Sequence, residues 1–137
     1  MKFWCIADTH GFHEDLFIPE GIDGIIHAGD FSNYKNPALN SNEAALFLNW
    51  YDSLDIRYKI LISGNHDTSI EKRYINPKDF KSIIYMEHEG LEIAGINFFG
   101  SPYTPSFHDW SFNVPRHKLD AYWNSIPKDT QVLVTHG

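Results

Sequence analysis

The sequence predicts a layered α/β domain, a mixed β-sheet sandwich with flanking helices, built as one unit over residues 1–137. Three observations carry that expectation. Short continuous apolar runs at 3–7, 24–28, 60–63 and 132–135 have the look of strands buried on both faces. A segment with apolar residues at helical spacing lies between the second and third of them. Consecutive strand-like runs in the middle of the chain then break the β–α alternation, which favours layers over a purely doubly wound sheet.

The elements follow in order. Residues 1–7 form the first strand, and 8–21 a loop or short helix. Residues 22–28 form the second strand, and 31–37 a polar, turn-rich link. Asn40 followed by Glu43 has the spacing of a capping box and opens a helix. Ala44, Phe47, Trp50, Tyr51 and Leu54 give that helix one buried face. Residues 58–63 form the third strand, with a short helix after His66. The runs 82–87, 91–94 and 96–100 read as a meander with turns at Glu89-Gly90 and Ala94-Gly95. A long aromatic and proline-bearing loop spans 101–115, a helix 116–125, and the last strand 131–135.

Bulk properties exclude several classes. Hydrophobic residues make up 42% of the chain and aromatics 15%, so it is not disordered. A chain of this size buries roughly 70% of its unfolded surface. A net charge of −7 and the lack of a basic run argue against a grip on long nucleic acid. Part of that charge is carboxylate that bound cations would neutralise. The lone Cys5 reads as a small core residue of the first strand. Residues 3–7 are too short for a signal-peptide core, and no run approaches the ~20 residues of a membrane span. The expected compartment is the cytoplasm.

Each of the four apolar runs ends in residues able to hold a metal: Asp8-Thr9-His10, Gly29-Asp30, Gly64-Asn65-His66-Asp67 and His136-Gly137. Ligands of open α/β sheets bind beyond the carboxyl ends of strands, so these ends are expected to converge on one crevice. Carboxylate oxygen mixed with imidazole nitrogen suits Mn²⁺, Fe²⁺ or Zn²⁺ better than Ca²⁺. Asp30 has two oxygens and can bridge two ions. Asn65 offers a neutral amide oxygen, and His136 an imidazole nitrogen. Taken singly, each motif is ordinary turn chemistry; their joint placement at four strand ends is what points to a metal site.

This series, Asp-x-His, Gly-Asp, Gly-Asn-His-Asp and a strand-terminal His, resembles the calcineurin-like metallophosphoesterases over essentially the whole chain. The segments Gly100-Ser-Pro-Tyr-Thr-Pro, Asp109-Trp-Ser-Phe-Asn-Val-Pro-Arg116 and Val134-Thr-His-Gly137 resemble its metallophosphoesterase-domain branch, which is similar to class III cyclic-nucleotide phosphodiesterases. The resemblance implies two divalent ions. Asp8 and His10 would hold one, Asp30 would bridge, and Asn65 and His136 would hold the other. His66 would be the general acid, oriented by Asp67, with Asn65 also meeting substrate. A hydroxide formed at the metals would attack phosphorus, and His66 would protonate the leaving oxygen. The implied function is hydrolysis of phosphodiesters or phosphomonoesters of small substrates, including cyclic nucleotides.

One departure matters. The family continues to a Gly-His-x-His motif that would give each metal one further imidazole, whereas this sequence stops at Gly137. The expectation is a domain truncated after the strand ending at His136, with a sheet edge left uncovered. A homo-oligomer or a partner chain would cover that edge. The alternative function is a catalytically weakened member that serves as a binding module. Arg116 is a candidate phosphate contact. Among the other histidines, His27 reads as a packed core residue able to support a ligand. His13, His88 and His117 read as solvated. His108, with Phe107, Trp110 and Phe112, belongs to a loop read as a hydrophobic clasp, the alternative being a base-stacking lid.

Overall fold

In the computed structural model, which describes residues 1–137, three of the four apolar runs lie side by side. β1 (Phe3–Ile6), β2 (Gly24–Ala28), β3 (Tyr58–Ile62) and β4 (Ile83–Tyr85) form a parallel sheet in that order. A second sheet has the order β5 (Glu89–Ile93), β6 (Ile96–Ser101), β9 (Val132–Thr135). Its β5–β6 pair is antiparallel and its β6–β9 pair parallel. A small ribbon, β7 (Thr104–Pro105) with β8 (Asn113–Val114), forms inside the 101–115 loop. The fourth metal-bearing strand end therefore comes from the opposite sheet.

Alternation along the strands explains the two cores. Ile25 and Leu61 point to α1 (Pro37–Ser53), where Phe31, Phe47, Leu48 and Tyr51 meet them. Ile26, Ile60 and Ile62 point to the second sheet and pack with Met86, Ile93, Phe98 and Val134. Because β2 and β3 are apolar toward both layers, their runs are unbroken in sequence. Tyr51, fully buried, donates its hydroxyl to the carbonyls of Ile60 at 2.7 Å and Ile25 at 3.2 Å, which ties α1 to both strands.

Several elements differ from expectation, each for a local reason. α1 starts at Pro37, capped by Asn36, whose side chain accepts from the N–H groups of Ala38 and Leu39. Asn40 is thus inside the helix, and Glu43 accepts from the N–H groups of Asn33 and Tyr34 in the preceding link. The meander is not one sheet: β4 pairs with β3, and Glu89-Gly90 lies within β5. The Ala94-Gly95 turn is present, with both residues left-handed at φ 52° and 78°. A short helix, α2 (Thr68–Glu71), follows His66, and α3 (Arg116–Asn124) precedes β9. Cys5 is exposed rather than core, on the edge strand β1. His13 is buried against Phe47 and Trp50 instead of solvated. His88 is half-buried, bonded to the hydroxyls of Ser101 and Ser125 and packed on Phe99 and Tyr122, so it ties α3 to the second sheet. No helix is long and apolar enough to cross a membrane.

His27 is completely buried in β2 and packs edge-on against Phe47. The Gly29 N–H donates to its Nδ1 at 3.2 Å, so its proton sits on Nε2 and goes to Thr9 Oγ1 at 2.9 Å. Burial lowers its pKa from 6.5 to about 3, opposed in part by the Asp30 carboxylate. The unfolded chain takes up this proton below pH 6.5, whereas the folded chain refuses it until about pH 3. Acid therefore favours unfolding across that window by roughly 1.4 kcal/mol per pH unit. Urea titrations of the metal-free protein at pH 7, 6, 5 and 4 are expected to show wild type losing stability relative to His27→Phe with about this slope below pH 6.5. Parallel pH profiles for the two proteins would contradict it.

Candidate metal centre

The loops that leave β1, β2 and β3 are bonded to one another before any ligand is considered. The Asp8 N–H donates to the Gly29 carbonyl and the His10 N–H to the Asp30 carbonyl, both at 3.0 Å. Asp8, His10 and Asp30 all adopt left-handed backbone, at φ 55°, 42° and 59°. Such conformations are unfavourable for residues with a Cβ and gather at functional sites. Gly29 and Gly64 make room. A Cβ on Gly64 would fall 2.2 Å from Asp30 Oδ1, and one on Gly29 2.6 Å from the Gly64 nitrogen.

All five expected ligands meet around Asp30. One ligand atom each from Asp8, His10 and Asp30 lies within 4.8 Å of the others. His10 Nε2 stands 3.8 Å from Asp8 Oδ1 and 3.8 Å from Asp30 Oδ2. On the opposite side, His136 Nε2 lies 2.8 Å from Asn65 Oδ1 and 3.4 Å from Asp30 Oδ2. The His136 Nδ1–H donates to the Ala28 carbonyl at 2.7 Å, which aims Nε2 at the cluster. Two donor groups thus share one buried carboxylate.

Electrostatics favour a cation there. Burial works against the Asp30 carboxylate, yet His136 and the His66 backbone N–H, at 2.8 Å, hold its pKa below the usual carboxylate range. Burial would lower the His136 imidazole, but Asp30 and the Ala28 carbonyl outweigh it and raise the pKa to about 9. The positive groups that reach Asp30 within 4 Å are the imidazoles of His10, His66 and His136; no Lys or Arg does so. A buried carboxylate with only neutralisable partners, flanked by oxygen and nitrogen donors, fits a divalent ion of the Mn, Fe or Zn kind.

His66 is half-buried, its Nε2 3.9 Å from Asp30 Oδ2. Burial lowers its pKa, with Asp30 pulling the other way. Trp110 stands perpendicular to its ring at a centroid distance of 3.7 Å. The 101–115 loop divides its aromatics. Phe112 is buried in the helix-side core, and its N–H donates to the Glu71 carboxylate at 2.6 Å. Phe107 and His108 remain at the surface. The Ser111 N–H donates to the Asn65 carbonyl at 3.0 Å, which fixes Trp110 beside the centre. Arg116 is exposed on an adjoining groove that it shares with Asn65 and Phe107, rather than inside the cluster. His117 is exposed on α3.

Comparison with known proteins agrees with this geometry. The family model for calcineurin-like phosphoesterase matches residues 1–137. The chain is 31% identical over 161 residues to metallophosphoesterase domain-containing protein 1 of Homo sapiens and of Mus musculus, covering 99% of the chain and 48% of each relative. It is 39% identical over 149 residues to a probable rhamnogalacturonate lyase C of Emericella nidulans, covering all of the chain and 14% of that protein. The chain therefore spans about half the length of the first two relatives, and a small part of the third.

Asp67 is placed differently from its expected role. Its carboxylate does not meet the His66 imidazole; it accepts from the N–H groups of Asp30 (2.9 Å), Gly64 (2.7 Å) and Ser32 (3.0 Å), and from the Ser32 hydroxyl (2.6 Å). Burial pushes its pKa up to about 7 against these donors. Beside it, Asn40 accepts from the Ser69 N–H and donates to the carbonyls of His66 and Tyr34. Sequence reasoning missed Ser32, for which no pattern stood out, and it placed Trp110 in a hydrophobic clasp rather than against His66. Asn40 did leave a signal, a polar residue in line with Ala44, Phe47 and Tyr51 on the buried face of α1. In Asp67→Asn the amide NH₂ would face backbone N–H groups, leaving donors unpaired at about 1–3 kcal/mol each. Thermal melts are expected to show a destabilised protein that binds metal more weakly. Unchanged stability, with only a shifted pH–rate profile, would restore Asp67 to the role of orienting His66.

Proposed function

Because the chain belongs to the calcineurin-like phosphoesterase family, whose members use divalent metals, we propose that it hydrolyses phosphate esters of small substrates at a two-ion centre. The observation that carries this reading is the sharing of Asp30 between two donor groups, Asp8 with His10 and Asn65 with His136. Bound ions supply water made nucleophilic near neutral pH and neutralise charge developing on phosphorus. The chain's own residues do the rest. The His66 imidazole, 3.9 Å from Asp30 and so not hydrogen-bonded to it, is free to hold a proton and give it to the leaving oxygen. Its lowered pKa weakens its hold on that proton. Asn65 serves both as ligand and as a substrate contact, and Arg116 meets parts of the substrate that extend into its groove.

The substrates are phosphodiesters or phosphomonoesters, with cyclic nucleotides among the candidates. The net charge of −7 disfavours long nucleic acid. A second reading is a binding module with weakened catalysis; within residues 1–137 each ion would have three protein ligands. Three ligands with an open position still make a catalytic centre, so the enzyme reading leads. β9 ends its sheet with Leu133 half-exposed, and a second copy or a partner chain pairing there would complete the sheet.

The test is hydrolysis of bis-p-nitrophenyl phosphate with Mn²⁺, with metal content measured on the same samples. His66→Ala is expected to lower turnover by roughly 10²–10⁴ while keeping its metal. Asp30→Ala is expected to lose the metal. Metal loss in the His66 variant would overturn the division of roles, and an inert, fully metal-loaded wild type would favour the binding module.

A further inference from the structure

His27 lies in β2, completely buried, at a position where an apolar side chain is the ordinary occupant. Its ring meets those of Phe31, Phe47 and Tyr51 edge-on, at centroid distances of 6.0, 4.9 and 6.4 Å. A phenylalanine would meet the same rings without taking two nitrogens out of water, which is costly unless both are bonded. What the imidazole adds is one hydrogen bond to each of two loops. The Gly29 N–H donates to Nδ1 at 3.2 Å, and Nε2 bonds Thr9 Oγ1 at 2.9 Å. Resting on the two-ion reading above, we propose that His27 is a positioning residue for the ion of Asp8 and His10, acting through the Thr9 hydroxyl, with no part in the Asn65–His136 side.

Thr9 is where the first loop needs an added hold. The loop after β1 is tied to the loop after β2 by N–H groups of Asp8, His10 and Gly11, which donate to the carbonyls of Gly29, Asp30 and Phe31, each at 3.0 Å. Thr9, in the middle of that series, makes no backbone bond across to the second loop. Its carbonyl accepts from the Phe12 N–H at 2.7 Å, along its own loop. The bond from its hydroxyl to His27 is therefore the cross-link at the residue between the two ligands. Thr9 is buried, whereas Asp8 is exposed and His10 half-buried on either side of it. Both neighbours have left-handed backbone, at φ 55° and 42°. Such strain persists only where the surroundings over-determine it. Releasing Thr9 lets the flanking residues relax, and the ligand atoms of Asp8 and His10 move with them.

The opposite donor pair has its own anchors. His136 is aimed by its Nδ1–H bond to the Ala28 carbonyl at 2.7 Å. The Asn65 carbonyl accepts from the Ser111 N–H at 3.0 Å, and the preceding Gly64 N–H donates to Asp67 at 2.7 Å. The shared residue, Asp30, keeps its N–H bond to Asp67 at 2.9 Å. None of these bonds involves the His27 ring or Thr9. Loss of the His27–Thr9 link consequently falls on one donor pair and spares the other.

Calorimetric titration with Mn²⁺ tests this without any assay of turnover. Wild type is expected to take up two ions. Thr9→Val keeps the branched shape and loses the hydroxyl; His27→Phe keeps the ring and loses both bonds. Each is expected to weaken one ion by about 10–100-fold, the range typical when a group supporting a ligand is removed. Thr9→Ser, which retains the hydroxyl, is expected to keep wild-type affinity. The double variant is expected to bind no more weakly than His27→Phe alone, since both changes cut the same link. Two backgrounds identify the ion. His136→Ala leaves the Asp8–His10 side intact, and Asp8→Ala leaves the Asn65–His136 side. Thr9→Val is expected to weaken Mn²⁺ binding in the first background and to leave it unchanged in the second, and it carries the test even if His27→Phe does not fold. A role in packing alone would survive Thr9→Val, so affinity unmoved by that change, or reduced equally in both backgrounds, would overturn the inference and leave the two-ion centre standing. A wild type that takes up no Mn²⁺ would overturn the two-ion reading itself, and this inference with it.

Discussion

The desolvation of one carboxylate, Asp30, organises the functional half of this molecule. It is only 3% exposed, at the junction of two sheets, where an uncompensated charge would be costly. Every polar atom of the residue is therefore committed. Its N–H goes to Asp67, its carbonyl receives the His10 N–H, and its carboxylate receives the His66 N–H with three imidazoles close by. The neighbouring chain has to give way: the residue itself turns left-handed, and Gly29 and Gly64 pack without Cβ atoms where the loops cross. An imidazole is a poor permanent partner, because its charge depends on a proton it can give up, whereas a divalent ion keeps its charge. A carboxylate so placed suits a divalent cation.

What was legible in the sequence follows from which forces are local. The strand ends and their ligands could be read because β2 and β3 bury both faces, so their apolar runs stop abruptly at Asp30 and Asn65. The partner of β9 could not, since Val132 and Val134 face inward equally well in either sheet, and only the pairing with β6 decides. The Asn40-Glu43 spacing misplaced the start of α1 because a local pattern cannot report that Asn40 lies inside the helix and braces His66 and Ser69, while Asn36 supplies the cap. His88 shows the same limit. Its place between Ser101 and Ser125 depends on residues 13 and 37 positions away, which no local pattern reports.

Asp67 and Asn40 show how stability and function are divided among adjacent residues. In the run from Asn65 to Asp67, the first side chain faces the donor cluster and the second stands against Trp110. The third turns back to bind three backbone N–H groups and the Ser32 hydroxyl. A loop carrying two working side chains has few contacts of its own to fix it. Asp67 and Asn40 supply them from beneath, as fully buried groups with their bonds made. That arrangement lets three non-glycine residues stay left-handed at the ligands, since strain of this kind persists only where the surroundings over-determine it.

The same logic extends to Trp110. Trp110 and Phe112 are two residues apart in a loop with left-handed backbone at His108, Asp109 and Phe112. Phe112 is locked in the helix-side core and its N–H is held by Glu71 of α2, while Ser111 bonds to the Asn65 carbonyl. The loop is therefore pinned at the two residues that directly follow Trp110, which leaves the Trp110 ring little freedom to swing away from His66. An aromatic surface positioned by the folding core, rather than by a mobile lid, gives His66 a fixed neighbour.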